Sequence, residues 1–337
     1  MRGTTAVTAA FLIVSACASR PPSVGVSAGL VWPPAGLSSP GEVVFRGTVA
    51  EMKAGGVVGV LRAIAGAREE GTAATLTRPV AVAVAGGRLW IADSVRQAVS
   101  VSGLDGGSAS FLSLPEGFRP IALAAAPGGR EVWVVDGGTP RLRAYTRDGQ
   151  FLREVALPKG AERCGGAAVA ENGDLIVTEI RAGEVLRLDA GGALVARAGR
   201  RGDGESEFNF PASVAVAPDG TVWVVDSFNF RVRHLSAGLR PLGGFGELGD
   251  GSGHFALPKG LAIDPDGHVY VADARLDVVQ VFDAEGRLLL VVGRHGAGPG
   301  EFSNPAGLAC DGDGNLAIAD TGNRRVQVFE YRRRPTP

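Results

Sequence analysis

Apolar and polar positions along this chain alternate in short bursts, and the bursts recur. One phrase returns six times: a Pro, an alternating apolar stretch, a Gly turn, an apolar run and an acidic residue. The copies are RPVAVAVAGGRLWIAD ending at Asp93, RPIALAAAPGGREVWVVD at Asp136, RCGGAAVAENGDLIVTE at Glu179, FPASVAVAPDGTVWVVD at Asp226, LPKGLAIDPDGHVYVAD at Asp273 and NPAGLACDGDGNLAIAD at Asp320. The acidic residues stand 43 or 47 positions apart. Alternation such as Val80, Val82 and Val84 predicts a first strand, and turns such as Asp219-Gly220 and Asp266-Gly267 predict a tight hairpin into a second, apolar strand. Val279 to Phe282 and Val326 to Phe329 read as third strands, and Glu285-Gly286 leads to a fourth over Arg287 to Val292. Four antiparallel strands repeated at this period predict an all-β, six-bladed β-propeller whose blades bury one another's faces.

The sixth unit ends after three strands, so the fourth must come from before the first unit. Glu42 to Val49 is the best donor, with Val43, Phe45 and Val49 on one face. From Val57 to Ala67 the apolar residues Val57, Val60, Leu61, Ile64 and Ala65 recur at helical spacing, predicting a short helix over the top of the ring before blade 1. The alternative is that Leu61 to Ala65 is itself the closing strand, since Ala65-Gly66-Ala67-Arg68 echoes the end of blade 3.

Ahead of the repeats, Met1-Arg2 and the apolar run Ala6 to Val14 have the shape of a signal peptide, too short to span a bilayer. Val14-Ser15-Ala16-Cys17 resembles the bacterial lipobox, which implies cleavage after residue 16 and acylation of Cys17. Ala18, in place of the Asp that retains many lipoproteins at the inner membrane, implies the outer membrane. The alternative is an ordinary secretory signal followed by a chance Cys. Residues 17–40, rich in Pro, Gly and Ser, read as a tether, 41–331 as the propeller and 332–337 as a basic tail. Arg332 to Arg334 reads as a solvated terminus, with contact to anionic lipid the alternative.

Composition narrows the function classes. The formal net charge is −1 and charged residues are 20% of the chain, without the electrostatic footprint of a nucleic-acid binder. Three Cys and four His, with no CxxC, give no zinc framework, and Cys164 and Cys310 fall on opposite sides of a six-fold ring, too far apart to pair. There is no nucleophile elbow, HExxH, P-loop or dinucleotide fingerprint.

The pattern P-x-G-L-A-x-D-x-D-G-x-x-x-x-A-D-x-x-x-x-x-V-Q-V-F, clearest in the last two units, resembles the NHL repeat, and Trp32-Pro33-Pro34 with Glu42 to Phe45 resembles the start of bacterial envelope NHL lipoproteins. Blade 3 departs, with Cys164 in the Pro slot and Glu179 in the Asp slot. Related-looking propellers include lyases with zinc on His and gluconolactonases with calcium on acidic and amide side chains.

Strand alternation sends the acidic ends of the second strands and the inter-blade connections to one face, here called the top. The connections GRRGDGESEFNFP, GELGDGSGHFALP and GRHGAGPGEFSNP bring Glu207, His254, His295 and Glu301 there, near Asp226, Asp273 and Asp320, while His234 and His268 fall toward the bottom. The top set reads either as a metal or partner site or as repeat maintenance, each acid capping N–H groups of the following turn. Arg231 and Arg324 are the expected ion-pair partners of their Asp. Trp90, Trp133, Trp223 and Tyr270, and the Phe of each Glu-Phe or His-Phe connection, read as packing between blades. The expectation is a monomeric, lipid-anchored binding or scaffold propeller of the bacterial envelope, without cofactor, taking an envelope protein, peptide or glycan on the top face. The alternative is a metal-dependent lyase or lactonase-like enzyme, or one Ca2+ in the channel mouth.

Overall fold

A computed structural model describes residues 31–32, 41–54, 73–106 and 108–333. Each of the six repeats folds into an antiparallel sheet, and their first strands, Pro79–Ala85, Pro120–Ala125, Cys164–Val169, Pro211–Val216, Pro258–Ile263 and Pro305–Cys310, stand side by side around the axis of a six-bladed propeller. The turns form as their residues dictate: Gly220 sits at φ +82, which L side chains adopt only under strain, and Asp219 Oδ1 accepts from the Thr221 N–H at 2.9 Å. Trp90, Trp133, Trp223 and Tyr270 are buried between neighbouring blades. Phe208, Phe255 and Phe302 are buried plugs in the connections.

Closure occurs where the strand pattern placed it. Gly41–Val49 pairs antiparallel with the last strand, Arg325–Arg333, from Gly41 opposite Arg333 to Val49 opposite Val326, with a register shift between Phe45 and Gly47. Phe45 is buried edge-on to Phe329, their centroids 5.5 Å apart. The alternative, that Leu61 to Ala65 closes the ring, is overturned because this edge is already filled. The helix expected over Val57 to Ala67 lies outside the described residues, as do the signal peptide and Cys17.

Three segments outside the six repeated phrases also take part in the sheets. Val31–Trp32, within the expected tether, adds a short strand outside Gly41–Val49, with Trp32 against Phe329. Glu51–Ala54 crosses to blade 1 and runs parallel to Ser108–Phe111, while Ala73–Thr75 pairs on its far side. Arg332 and Arg333 belong to the last strand, where Arg333 pairs with Asp266. Among the described residues no helix is long and apolar enough to cross a membrane.

Candidate functional site: the top face and the central channel

The repeat acids all lie at the top and are all buried. Asp93 accepts from the N–H groups of Thr77 and Arg78 before the blade and of Val95 and Arg96 after the strand. Asp273 does the same with Ala256, Leu257, Arg275 and Leu276. Glu179, in the degenerate blade, accepts from Glu162, Arg163 and Ala182. Each carboxylate thus ties the incoming connection to the following turn, where the sequence reading foresaw only the turn.

In blades 2, 4 and 6 a guanidinium joins the acid. Arg141, Arg231 and Arg325 donate through Nε to Asp136, Asp226 and Asp320 at 3.1, 2.9 and 2.6 Å. Arg325 therefore replaces the expected Arg324, because position four after the Asp takes left-handed backbone (φ +56 at Arg324) and only position five returns to the strand. Partner chemistry sets the acids apart. Burial opposes ionisation of Asp136, yet hydrogen bonds from Thr139, Arg119, Gly138 and Arg141 hold its pKa below the ordinary value. Asp226, with one backbone N–H donor, is pushed above it by burial despite Asn229, Asn209 and Arg231.

Glu207, His254, His295 and Glu301 also reach the top, each engaged within its own surroundings. Glu207 accepts from the Gly204 N–H at 3.0 Å and from Arg200 Nε at 2.7 Å, and Glu301 repeats this with Gly298 and Arg294 at 2.9 and 3.0 Å. His254 Nε2 lies 3.0 Å from Glu247, and the 78% exposed His295 ring lies 2.7 Å from Asp277. These four make braced rim loops instead of converging on one point. His234 and His268 fall at the bottom, His234 stacked on Trp223 at 3.8 Å and His268 bonded to Asp264 at 2.8 Å.

Inside the ring is a channel of about 640 Å³, a volume typical of ligand sites. Its wall is Val, Ile, Leu, Ala and Gly from the six first strands, with Ser213 and Cys310 as the only polar side chains along them below the mouth. The mouth carries Arg78, Lys259, Phe210, Phe228 and the hydroxyls of Ser227 and Thr321, which donate to Pro258 O and Pro79 O at 2.7 and 2.6 Å. A bulge explains Lys259. Pro258 pairs with Asp273 and Gly260 with Ala272, leaving residue 259 out of the ladder, and the same shift frees Val80, Ile121 and Ala212. Bulges re-aim side chains, here into the channel. Sequence reasoning passed over Lys259, although it is the one charged residue in a slot that otherwise holds Val80, Ile121, Gly165, Ala212 and Ala306.

Calcium of the gluconolactonase kind needs converging carboxylates or amides. The described residues do not fit it: among them no Asp, Glu, Asn, Gln or His lines the channel, two cations stand at its mouth, and the nearby repeat acids are spent on N–H groups. Among the described residues no group of three or more His, Cys, Asp or Glu could hold a metal ion. Nor do the thiols serve as ligands or as a disulfide: Cys164 and Cys310 are both free, with Cys164 pushed up to about 12 by burial and by the charges of Glu179 and Asp136.

Comparison with known proteins agrees with this architecture. Residues 80–293 match the family model described as SMP-30/Gluconolactonase/LRE-like region, and residues 302–329 match the NHL repeat. None of the curated proteins matches the sequence. Similar solved structures include an auxiliary nutrient binding protein from Bacteroides thetaiotaomicron VPI-5482, at 14% identity and TM-score 0.61, covering 87% of this chain and 77% of that one. A virginiamycin B lyase from Staphylococcus aureus matches at 17% identity and TM-score 0.56, over 75% and 95%. A putative gluconolactonase matches at 16% identity and TM-score 0.59, over 77% and 90%. At these identities the likeness is one of fold.

Proposed function

The chain belongs to the SMP-30/Gluconolactonase/LRE-like region family, and from that premise we propose that it is a binding propeller of the bacterial envelope, anchored by lipid on Cys17, and not a metal-dependent hydrolase or lyase. The observation that carries this reading is the chemistry of the channel, whose described wall residues offer no carboxylate, amide or imidazole. A family fold supports many activities, so the site must decide, and here the described residues bring no acid, base or metal ligands of the kind such reactions use to the channel wall. The top face supplies what a binding module needs instead. Its rim loops are pre-organised by Arg200 with Glu207 and by Arg294 with Glu301, which lowers the ordering cost of engaging an envelope protein, peptide or glycan. The metal-dependent alternative makes the opposite forecast. Protein purified without chelator is analysed for metals and assayed on aliphatic lactones and on a peptidyl-hydroxyglycine. The expected result is neither stoichiometric metal nor turnover. One bound metal per chain, with a lactonase or lyase activity that chelation abolishes, would overturn the proposal.

A further inference from the structure

Among the described residues, the channel mouth holds two cations and no anion. Arg78 and Lys259 both line it, and among the described residues neither has a carboxylate ion-pair partner. Lys259 Nζ donates to Asn304 Oδ1 at 2.9 Å. Burial pushes the Lys259 ammonium below its ordinary pKa, with repulsion from Arg78 adding and attraction from Asp273 opposing. Asp273 offers the pair little, since its oxygens accept from four backbone N–H groups. Exposed Arg78 and partly buried Lys259, at one mouth and with no carboxylate ion-pair partner among the described residues, favour an anion there.

Below them the wall is apolar for the length of the first strands, about 18 Å at the rise of an extended strand. An apolar cavity of this size favours an apolar occupant over water. On the blade 4 side of the mouth, Phe210 and Phe228 stack at 4.7 Å, and Phe228 is half exposed to whatever enters. One molecule satisfies all three features: an anionic head for Arg78 and Lys259, a slender apolar tail for the channel, and a junction beside the aromatic pair.

We infer that the channel binds an amphipathic carboxylate of the fatty-acid class, head up at Arg78 and Lys259 and tail along the axis. This rests on the binding-propeller reading, because a channel occupied by a catalytic metal would not be free for a tail. The purified full chain is titrated calorimetrically with dodecanoate, dodecanol and dodecyltrimethylammonium, each below its micelle concentration. Dodecanoate is expected to bind at least tenfold tighter than the alcohol, and the ammonium not at all. Arg78→Gln with Lys259→Met should bind dodecanoate no better than dodecanol while melting like the parent. If that pair fails to fold, Lys259→Met alone should show at least a threefold loss. A dodecanoate carrying a terminal photo-crosslinker should label the first strands. Equal binding of all three probes, no binding, or labelling confined to the outer strands would overturn the inference while leaving the metal-free reading intact. Stoichiometric metal would instead fail that reading before any titration.

Discussion

Replacing Asp320 by Ala tests whether the repeat acids are braces or reagents. Its Oδ1 accepts from Ser303 N–H at 2.8 Å, and Oδ2 from Arg325 Nε at 2.6 Å and Gln327 Nε2 at 3.1 Å, with Asn323 Nδ2 reaching both oxygens. Truncation orphans the Ser303 N–H, at about 1–3 kcal/mol for a buried unsatisfied group. It also removes the partner of Arg325, whose side chain is only 11% exposed, and breaking such a pair costs about 3–5 kcal/mol. The terms overlap, since Arg325 keeps the carbonyls of Ala297, Gly298 and Glu301 at 2.7, 2.7 and 2.8 Å, so a net loss of about 3–5 kcal/mol is expected. For a chain this long, at about 2 °C per kcal/mol, the melting temperature falls by roughly 6–10 °C. Asp320→Asn keeps an acceptor oxygen and should lose about 1–2 kcal/mol. Circular dichroism during heating measures both. An Asp320→Ala chain that melts within 2 °C of the parent, or an Asn variant as damaged as the Ala variant, would refute the bracing argument.

Glu207 and Glu301 predict an acid-side effect. The Gly204 and Gly298 N–H groups, then Arg200 and Arg294, hold these carboxyls below the ordinary value of 4.5. The folded pKa lies below the unfolded one, so their stabilisation is fully present above about pH 4.5 and disappears as pH falls through the folded values. A Glu207→Gln, Glu301→Gln chain should melt below the parent at pH 7, with the gap closing as pH is lowered from 4.5, as followed by circular dichroism; a constant gap would contradict the argument. Cys17→Ser should leave the membrane fraction or stay unprocessed on fractionation, and unchanged detergent partitioning would refute lipid anchoring at that residue.

The repeat made the blades, their number and the closing strand readable before any coordinates, because a two-residue alternation ending at an acid records directly which side of a strand is buried. What stayed hidden depends on register. Arg324 and Arg325 are chemically identical neighbours, and only the left-handed turn at position 324 decides which faces Asp320. Glu207 and Glu301 were legible as top-face residues, but their bond to an Arg seven positions earlier depends on a loop that folds back on itself, pairing Arg201 with Phe208 and His295 with Phe302. The channel mouth was hidden for a related reason, since the bulge that aims Lys259 inward leaves no mark in hydrophobic periodicity. Aligning the six copies and asking which slot breaks its own rule would have found it.

The pairing of Gly41–Val49 with Arg325–Arg333 also sets an order of assembly. Hairpins within a blade join near neighbours in the chain and form as soon as their residues are free, whereas this contact spans almost the whole molecule and belongs to the slowest class of folding event. At about 5–20 residues per second, the interval between making one partner and finishing the other is roughly 15–60 s. Throughout it, the edge of Gly41–Val49 that will meet the last strand is unpaired, the kind of edge that recruits strands from other molecules. A nascent chain therefore carries this open edge at its beginning until its end arrives. A product halted before residue 325 would keep that sticky edge for good.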